Sequence, residues 1–219
     1  MKLQSNSYKE EISIKLAEGI SLNGILTMPK NAQKIVIFAH GSGSGRYSPR
    51  NQFVASFLNE QQLATLLMDL LTPEEETVDL ETAQYRFDIP LLARRLVDTS
   101  SWVRKFPNTK ELKISYFGSS TGAAAALIAA AQEEKKISAV VSRGGRPDLA
   151  KSALQHVLAP TLLIVGGDDF GVIELNEEAF ALIKAEKKLE IIPGATHLFE
   201  EPGKLAEVAK IATAWFKKH

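Results

Sequence analysis

The sequence predicts one α/β domain over residues 1–219, with a mostly parallel, twisted sheet of about eight strands and helices on both faces. First, short and strongly apolar segments alternate with helical segments along the chain, which is typical of parallel strands joined by helices. Second, 219 residues with 45% hydrophobic side chains suit one globular domain with a substantial core. Third, no repeat, low-complexity tract or flexible linker divides the chain.

Two segments near the N-terminus predict an antiparallel hairpin. Apolar and polar side chains alternate in residues 11–17, and they nearly alternate in residues 20–27. The pair Glu18 and Gly19 between these segments is a turn signal. Because the alternation indicates that one face meets solvent, we expect this hairpin at an edge of the sheet.

Six apolar runs predict the remaining strands, and amphipathic or alanine-rich segments between them predict helices. The strands are residues 34–39, 64–68, 112–117, 137–141, 161–165 and 189–192. The helices are at about residues 51–59, 91–104, 121–132, 175–185 and 204–217. Continuous apolar runs suit strands that are buried on both faces. In such sheets the chemistry gathers at the carboxyl ends of the strands, so the residues that follow each strand are the first candidates.

The composition excludes several kinds of site and partner. Lys plus Arg and Asp plus Glu number 26 each, so no basic field predicts a nucleic-acid partner. The chain has no cysteine, which excludes disulfides, a thiol nucleophile and zinc–thiolate sites, and we predict no metal site. Residues 1–16 lack the apolar core of a signal peptide, and the longest apolar run, 123–131, is too short to cross a bilayer. We therefore expect a cytoplasmic protein with no membrane partner.

A candidate nucleophile follows the strand at residues 112–117. The residues Gly118-Ser119-Ser120-Thr121-Gly122 precede an alanine-rich helix, and they match the G-x-S-x-G nucleophile elbow in its strand–turn–helix setting. Small neighbours two positions away are needed because the serine lies at the tip of a tight, strained turn. Only Ser120 has glycine at that distance on both sides. The alternative is a tight turn with glycines that serve packing only.

A serine nucleophile needs a base, and the base needs an orienting acid. Among four histidines, His197 lies just after the last strand and before the last helix, at the predicted catalytic edge. His156 falls in a predicted helix, and His219 is the last residue. Asp168 and Asp169 both follow the strand at residues 161–165, so either could be the acid at this point, the other serving the turn.

The glycine-rich loop of residues 40–45, His-Gly-Ser-Gly-Ser-Gly, follows the first buried strand. Its glycines would let the backbone approach a bound carbonyl group, and the expected donors of an oxyanion hole are the backbone N–H groups of Ser42 and Thr121. A phosphate cradle is disfavoured because the loop lacks G-x-x-x-x-G-K-[ST] and the dinucleotide-binding spacing. We expect His40 to support the loop rather than to act as base.

These segments together resemble the α/β-hydrolase superfamily, and within it the small dienelactone-hydrolase-like group, over nearly the whole chain. The resemblance implies a carboxylic-ester hydrolase with an α/β-hydrolase fold that needs no cofactor and works through an acyl-enzyme. It favours Asp169 as the acid, since hydrolases of this fold place it three residues after the glycine that ends the strand, here Gly166. The order Ser120, Asp169, His197 is that of the superfamily. Dienelactone hydrolases carry cysteine in the elbow, whereas this chain has Ser120, so a general carboxylesterase is the expectation.

The surroundings of the site predict an open, shallow cleft with arginines nearby. Fewer than about two dozen residues separate the strands at 137–141 and 161–165, which leaves no room for a cap domain. Residues 70–83 are expected to be an acidic, solvated loop or a rim of the site. Arg46 and Arg50 follow the glycine-rich loop, and Arg143 and Arg146 follow the strand at 137–141 near the predicted edge. These arginines could bind a substrate carboxylate or phosphate, or else pair with Asp88, Asp98 or Asp148.

The predicted function is hydrolysis of a small-molecule carboxylic ester, of the short-chain carboxylesterase type. An acyltransferase or a peroxide-using hydrolase would keep the same three side chains and differ only in the acceptor. A non-catalytic binding protein with a hydrolase fold is the alternative from a different class, because a fold alone does not prove a function.

Overall fold

The computed structural model describes residues 8–219, which form one eight-stranded sheet in the order β1-β2-β4-β3-β5-β6-β7-β8. The strands are β1 (Tyr8–Lys15), β2 (Ser21–Met28), β3 (Lys34–Ala39), β4 (Ala64–Met68), β5 (Lys113–Ser119), β6 (Ile137–Arg143), β7 (Thr161–Gly166) and β8 (Lys187–Ile192). All pairs from β4 to β8 are parallel, whereas β1 and β2 pair antiparallel with each other and β2 pairs antiparallel with β4. The predicted edge hairpin and mostly parallel sheet are confirmed.

Helices cover both faces of this sheet. They are α1 (Pro49–Glu60), α2 (Pro73–Thr82), α3 (Ile89–Val103), α4 (Thr121–Gln132), α5 (Phe170–Leu182) and α6 (Lys204–Lys218). Side chains of α1 and α6 pack on one face with Val36 and Phe38 of β3, while α3, α4 and α5 pack on the other with Ile35 and Ile37. Successive residues of β3 thus serve opposite cores, as the continuous apolar run predicts.

The structure corrects the expectation for residues 70–83, which are not simply a solvated loop. They contain α2, whose start is fixed by a capping box between Thr72 and Glu75 and by Pro73 in the first turn. The Thr72 hydroxyl accepts the Glu75 N–H at 3.2 Å, and the Glu75 carboxylate accepts the Thr72 N–H at 2.8 Å. The high acidic content concealed this signal, although glutamates in the first turn stabilise a helix N-terminus.

Two further elements differ from the expectation. β8 lies at the sheet edge and is partly exposed along its length rather than buried on both faces. α5 begins at Phe170, five residues before the predicted start. Between β6 and β7 the chain forms 3₁₀ turns over Pro147–His156, in keeping with the predicted lack of a cap. Within residues 8–219, no helix combines the length and apolar character that a membrane crossing requires.

Candidate active site

Ser120 lies at the turn between β5 and α4, in a backbone conformation with φ 50° and ψ −123°. A positive φ is uncommon for a residue with a side chain, and it indicates a turn that the surrounding structure holds in place. The two flanking glycines explain how the turn fits. A Cβ on Gly122 would overlap the carbonyl oxygens of Ala39 and His40, and one on Gly118 would lie 2.7 Å from the Gly122 carbonyl oxygen. The predicted elbow geometry is therefore present.

Asp169 and His197 are brought together from the ends of two neighbouring strands, β7 and β8. The Nδ1 atom of His197 lies 2.7 Å from Asp169 Oδ2. Because a carboxylate accepts, Nδ1 carries the donated proton, which leaves Nε2 as the basic nitrogen of the neutral ring. The Asp168 side chain is exposed, and its backbone N–H donates to the Ala195 carbonyl at 2.9 Å. The geometry thus distinguishes the two aspartates: Asp169 is the one that contacts the histidine.

Ser120 and His197 line the same cavity, which has a volume of about 240 Å³. The lining residues are Gly41, Ser42, Ser44, Ser48, Arg50, Asn51, Ser119, Ser120, Arg143, His197 and Leu198. Most of them carry hydroxyl, amide or guanidinium groups, and none of them is acidic. The cavity can therefore hold a polar or negatively charged molecule beside the serine hydroxyl.

The glycine-rich loop adjoins this cavity but is tied to the start of α4. The Ser42 N–H donates to Thr121 Oγ1 at 3.1 Å, and the Ser42 hydroxyl lies 3.0 Å from the same oxygen. Thr121 is the first residue of α4, so its own N–H is one of those a helix leaves without an intrahelical acceptor. One of the two expected oxyanion donors is thus already hydrogen-bonded in this structure.

His40 links the glycine-rich loop to Leu70 through hydrogen bonds of its ring. Its Nε2 accepts the Leu70 N–H at 3.0 Å, and its Nδ1 lies 2.9 Å from the Gly41 carbonyl oxygen, to which the ring donates. The side chain is 9% exposed, and burial lowers its pKa. A neutral ring with both nitrogens engaged matches the expected supporting role.

The arginines near the site differ in their partners. Arg46 pairs with Asp69 and does not line the cavity, and Arg146 pairs with Asp148 at 2.8 Å. Arg143, the last residue of β6, lines the cavity and is 6% exposed. Among the residues that the structure describes, no carboxylate lies within ion-pair distance of Arg143, and its Nε and Nη1 have no hydrogen-bond partner. The structure thus brings Arg143 to the candidate site and leaves Arg46 outside it.

Sequence reasoning named Arg50 as a possible substrate-binding residue but missed Asn51, its neighbour in α1. Arg50 and Asn51, at the start of α1, line the cavity wall, and the Ser119 hydroxyl donates to Asn51 Oδ1 at 3.1 Å. Two signals in the sequence indicate an earlier helix start. Ser48 caps the helix with its side chain, and Pro49 lies in the first turn. That start would have placed Asn51 beside Arg50 in the first turn of a helix that follows the glycine-rich loop.

Known proteins share this architecture. A crystal structure of dienelactone hydrolase from Anabaena variabilis is 55% identical, with a TM-score of 0.96 over 97% of this chain and 98% of that one. An esterase of Pyrococcus furiosus is 18% identical with a TM-score of 0.72, over 96% of this chain and 91% of that one, which shows the fold alone.

Two curated relatives come from strains of Mycobacterium tuberculosis and are provisionally named phosphoribosyl transferases. They are 53% identical over 210 residues, which is 96% of this chain and 46% of theirs. This chain therefore spans about half the length of the curated relatives it matches. The family model of the Dienelactone hydrolase family matches residues 23–218. With its elbow, its sheet order and this match over most of its length, the chain belongs to the dienelactone hydrolase family.

Proposed function

We propose that the protein is a serine hydrolase that cleaves carboxylic esters of short-chain type through an acyl-enzyme on Ser120. The observation that carries this proposal is that Ser120, on its strained turn, shares a cavity with His197, whose Nδ1 lies 2.7 Å from Asp169 Oδ2. A nucleophile, a base and an acid that orients the base are the parts that acyl transfer through serine requires.

In the first half of the reaction, His197 Nε2 takes the proton of the Ser120 hydroxyl as its oxygen attacks the ester carbonyl carbon. Asp169 holds the ring in the required tautomer and stabilises the positive charge that forms on it. The protonated ring then donates to the leaving alcohol, and the acyl group stays on Ser120. In the second half, His197 removes a proton from water, which attacks the acyl-enzyme and restores the serine.

The oxyanion of each tetrahedral intermediate would be stabilised by the N–H groups of Ser42 and Thr121. The position of Thr121 at the start of α4 supports this role, because the helix N-terminus favours negative charge. The Ser42 N–H donates to Thr121 Oγ1 in the free protein, so the substrate oxygen must displace that hydroxyl group as acceptor. This competition is a property of the site that a substitution at Thr121 can test.

The name of the mycobacterial relatives suggests a different activity, transfer of a phosphoribosyl group. Those proteins are about twice as long as this chain, which matches 46% of their length. We propose that their name describes the part of them that has no counterpart here. An acyltransferase or a peroxide-using hydrolase would use the same three side chains with another acceptor in place of water, and acceptor competition during turnover separates these activities.

The test is hydrolysis of 4-nitrophenyl acetate and 4-nitrophenyl butyrate, together with fluorophosphonate labelling. We expect wild-type protein to turn over both esters and to be labelled, and we expect Ser120→Ala to lose both by at least about 10³-fold in rate.

Ser119→Ala is the matched control, because its hydroxyl is adjacent in sequence but donates to Asn51 rather than serving as nucleophile. It should keep labelling and turnover. If folded wild-type protein is neither labelled nor active, the proposal is wrong and a non-catalytic binding protein becomes the better account.

A further inference from the structure

Arg143 is a buried cation whose partner is missing from the part of the chain that the structure describes. It lines the cavity beside Ser120, is 6% exposed, and leaves Nε and Nη1 sheltered from water with no acceptor. A buried donor without a partner destabilises the folded protein, and a buried charge without a counter-ion does so more strongly. A feature that destabilises the free protein at the site of chemistry indicates that a ligand supplies what is missing.

The position of Arg143 fixes where that ligand lies. Arg143 ends β6 and is the register partner of Ser119 on β5, and its carbonyl oxygen accepts the Ser120 N–H at 3.3 Å. Its guanidinium is therefore on the wall next to the nucleophile.

A second guanidinium lines the same cavity. Arg50 has a buried Nε without a partner, and its Nη1 pairs with Glu200 Oε1 at 2.7 Å. That pair is at the rim, with side-chain exposures of 32% and 62%, where screening by solvent makes an ion pair weak. Glu200 does not line the cavity, so the cavity itself contains two cations and no carboxylate.

The two arginines act on each other. Burial first, and then the positive charge of Arg50, lower the pKa of Arg143 to about 10. Arg143 is still charged at neutral pH, so the repulsion persists in the free protein. A phosphate dianion carries more negative charge than a carboxylate and has one more acceptor oxygen, so it interacts more strongly with two neighbouring guanidinium groups, of which Arg50 also keeps Glu200 as a partner at the rim.

We propose that this cavity selects esters that carry a dianionic phosphate group near the scissile bond, bound by Arg143 with Arg50 beside it. Two guanidinium groups and the Ser48 and Asn51 side chains line one cavity, and together they suit the three terminal oxygens of a phosphate monoester. This assignment rests on the proposed ester hydrolysis for its chemistry, but anion binding can be measured without turnover.

The experiment uses phenyl phosphate, benzoate and benzyl alcohol as probes of matched size that differ in charge. Each is tested as a competitive inhibitor of 4-nitrophenyl acetate hydrolysis at pH 8, and each is also tested for its effect on Tm. We expect phenyl phosphate to bind wild-type protein at least about tenfold more tightly than benzoate or benzyl alcohol, since a dianion forms more charge-assisted hydrogen bonds than a monoanion or a neutral group. We expect phenyl phosphate alone to raise Tm clearly.

The variants are Arg143→Met, Arg143→Lys and the control Arg46→Met, whose side chain lies outside the cavity. The preference for phenyl phosphate is measured as the inhibition constant of benzyl alcohol divided by that of phenyl phosphate. This ratio should fall at least about tenfold in Arg143→Met, fall less in Arg143→Lys, and stay unchanged in Arg46→Met. Using the ratio removes any general effect on turnover, and Arg143→Lys keeps the test valid if the methionine variant does not fold.

The outcomes separate this inference from the proposed function. If benzoate binds as tightly as phenyl phosphate, or if Arg143→Met keeps the wild-type ratio, the phosphate assignment is overturned while ester hydrolysis stands. If wild-type protein hydrolyses no ester but phenyl phosphate raises Tm in an Arg143-dependent way, the anion site stands and the hydrolase proposal fails.

Discussion

The loop after β3 and the end of β6 both reach the candidate site, but they differ in whether their polar side chains have partners within the protein. In the loop, His40 contacts Leu70, Ser42 contacts Thr121, and Arg46 pairs with Asp69. At the end of β6, the Ser142 hydroxyl and the Nε and Nη1 atoms of Arg143 are buried and have no partner among the described residues. The Nε of Arg46 is unpaired as well, but Arg46 has a counter-ion, whereas in that part of the chain Arg143 has none and keeps unused hydrogen-bonding capacity next to the nucleophile. The comparison indicates that a polar side chain with a partner inside the protein supports the fold, whereas one without such a partner is available to a substrate, whatever the residue type.

The largest expected effect concerns Asp169 and Asp168, which are adjacent in sequence but differ in whether they contact His197. Asp169→Asn removes the acceptor charge that orients His197, and we expect kcat for 4-nitrophenyl acetate to fall by about 10³- to 10⁴-fold. Asp168→Asn alters an exposed side chain and should change kcat by less than about twofold. Steady-state kinetics of both purified variants provide the measurement. Equal losses would mean that contact with His197 does not distinguish the two residues.

The next effect concerns the two arginines, whose removal should change stability in opposite directions. Arg143→Met takes away a buried cation without a counter-ion, so the free energy of unfolding should rise by about 1–3 kcal/mol. Arg46→Met breaks a partly buried pair and leaves the backbone N–H of residue 46 as the remaining hydrogen-bond partner of Asp69 among the described residues. The free energy of unfolding of this variant should therefore fall by about 1–2 kcal/mol.

Urea denaturation in a buffer free of phosphate measures both changes, because a bound anion would stabilise the wild type. A loss of stability in Arg143→Met similar to that in Arg46→Met would show that Arg143 has a structural role. The comparison between the two regions would then be wrong.

The sequence predicted the sheet, most helices and the chain order of the three candidate side chains because these depend on local patterns. Apolar runs, glycine spacing and the residues after each strand are all visible in one dimension. Whether Arg46 or Arg143 reaches the cavity was not predictable, since Asp69 is 23 residues from Arg46 and the pairing depends on tertiary packing. The residues alone left Asp168 and Asp169 open, and the family resemblance was what favoured Asp169, the aspartate that contacts His197 in the structure.

The smallest expected effect concerns Thr121, which links the loop after β3 to the nucleophile turn. Its Oγ1 accepts the Ser42 N–H at 3.1 Å, and so competes with a substrate carbonyl for that donor. Thr121→Val keeps the shape of the side chain and removes the acceptor. Because a hydrogen bond contributes about 0.5–1 kcal/mol net in such an exchange, we expect kcat/KM for 4-nitrophenyl acetate to rise about two- to fivefold.

Thr121→Ser is the control for this prediction, since it keeps the hydroxyl group while removing only a methyl group, and its kcat/KM should stay within about twofold of wild type. A fall in Thr121→Val with normal activity in Thr121→Ser would mean that the hydroxyl is needed to position Ser42. Thr121 would then support the loop as His40 does, and the loop after β3 would have no polar side chain acting against substrate binding. A rise in Thr121→Val would instead show that satisfying a polar group within the fold can reduce catalysis, as satisfying Arg143 with an acidic neighbour would reduce anion binding.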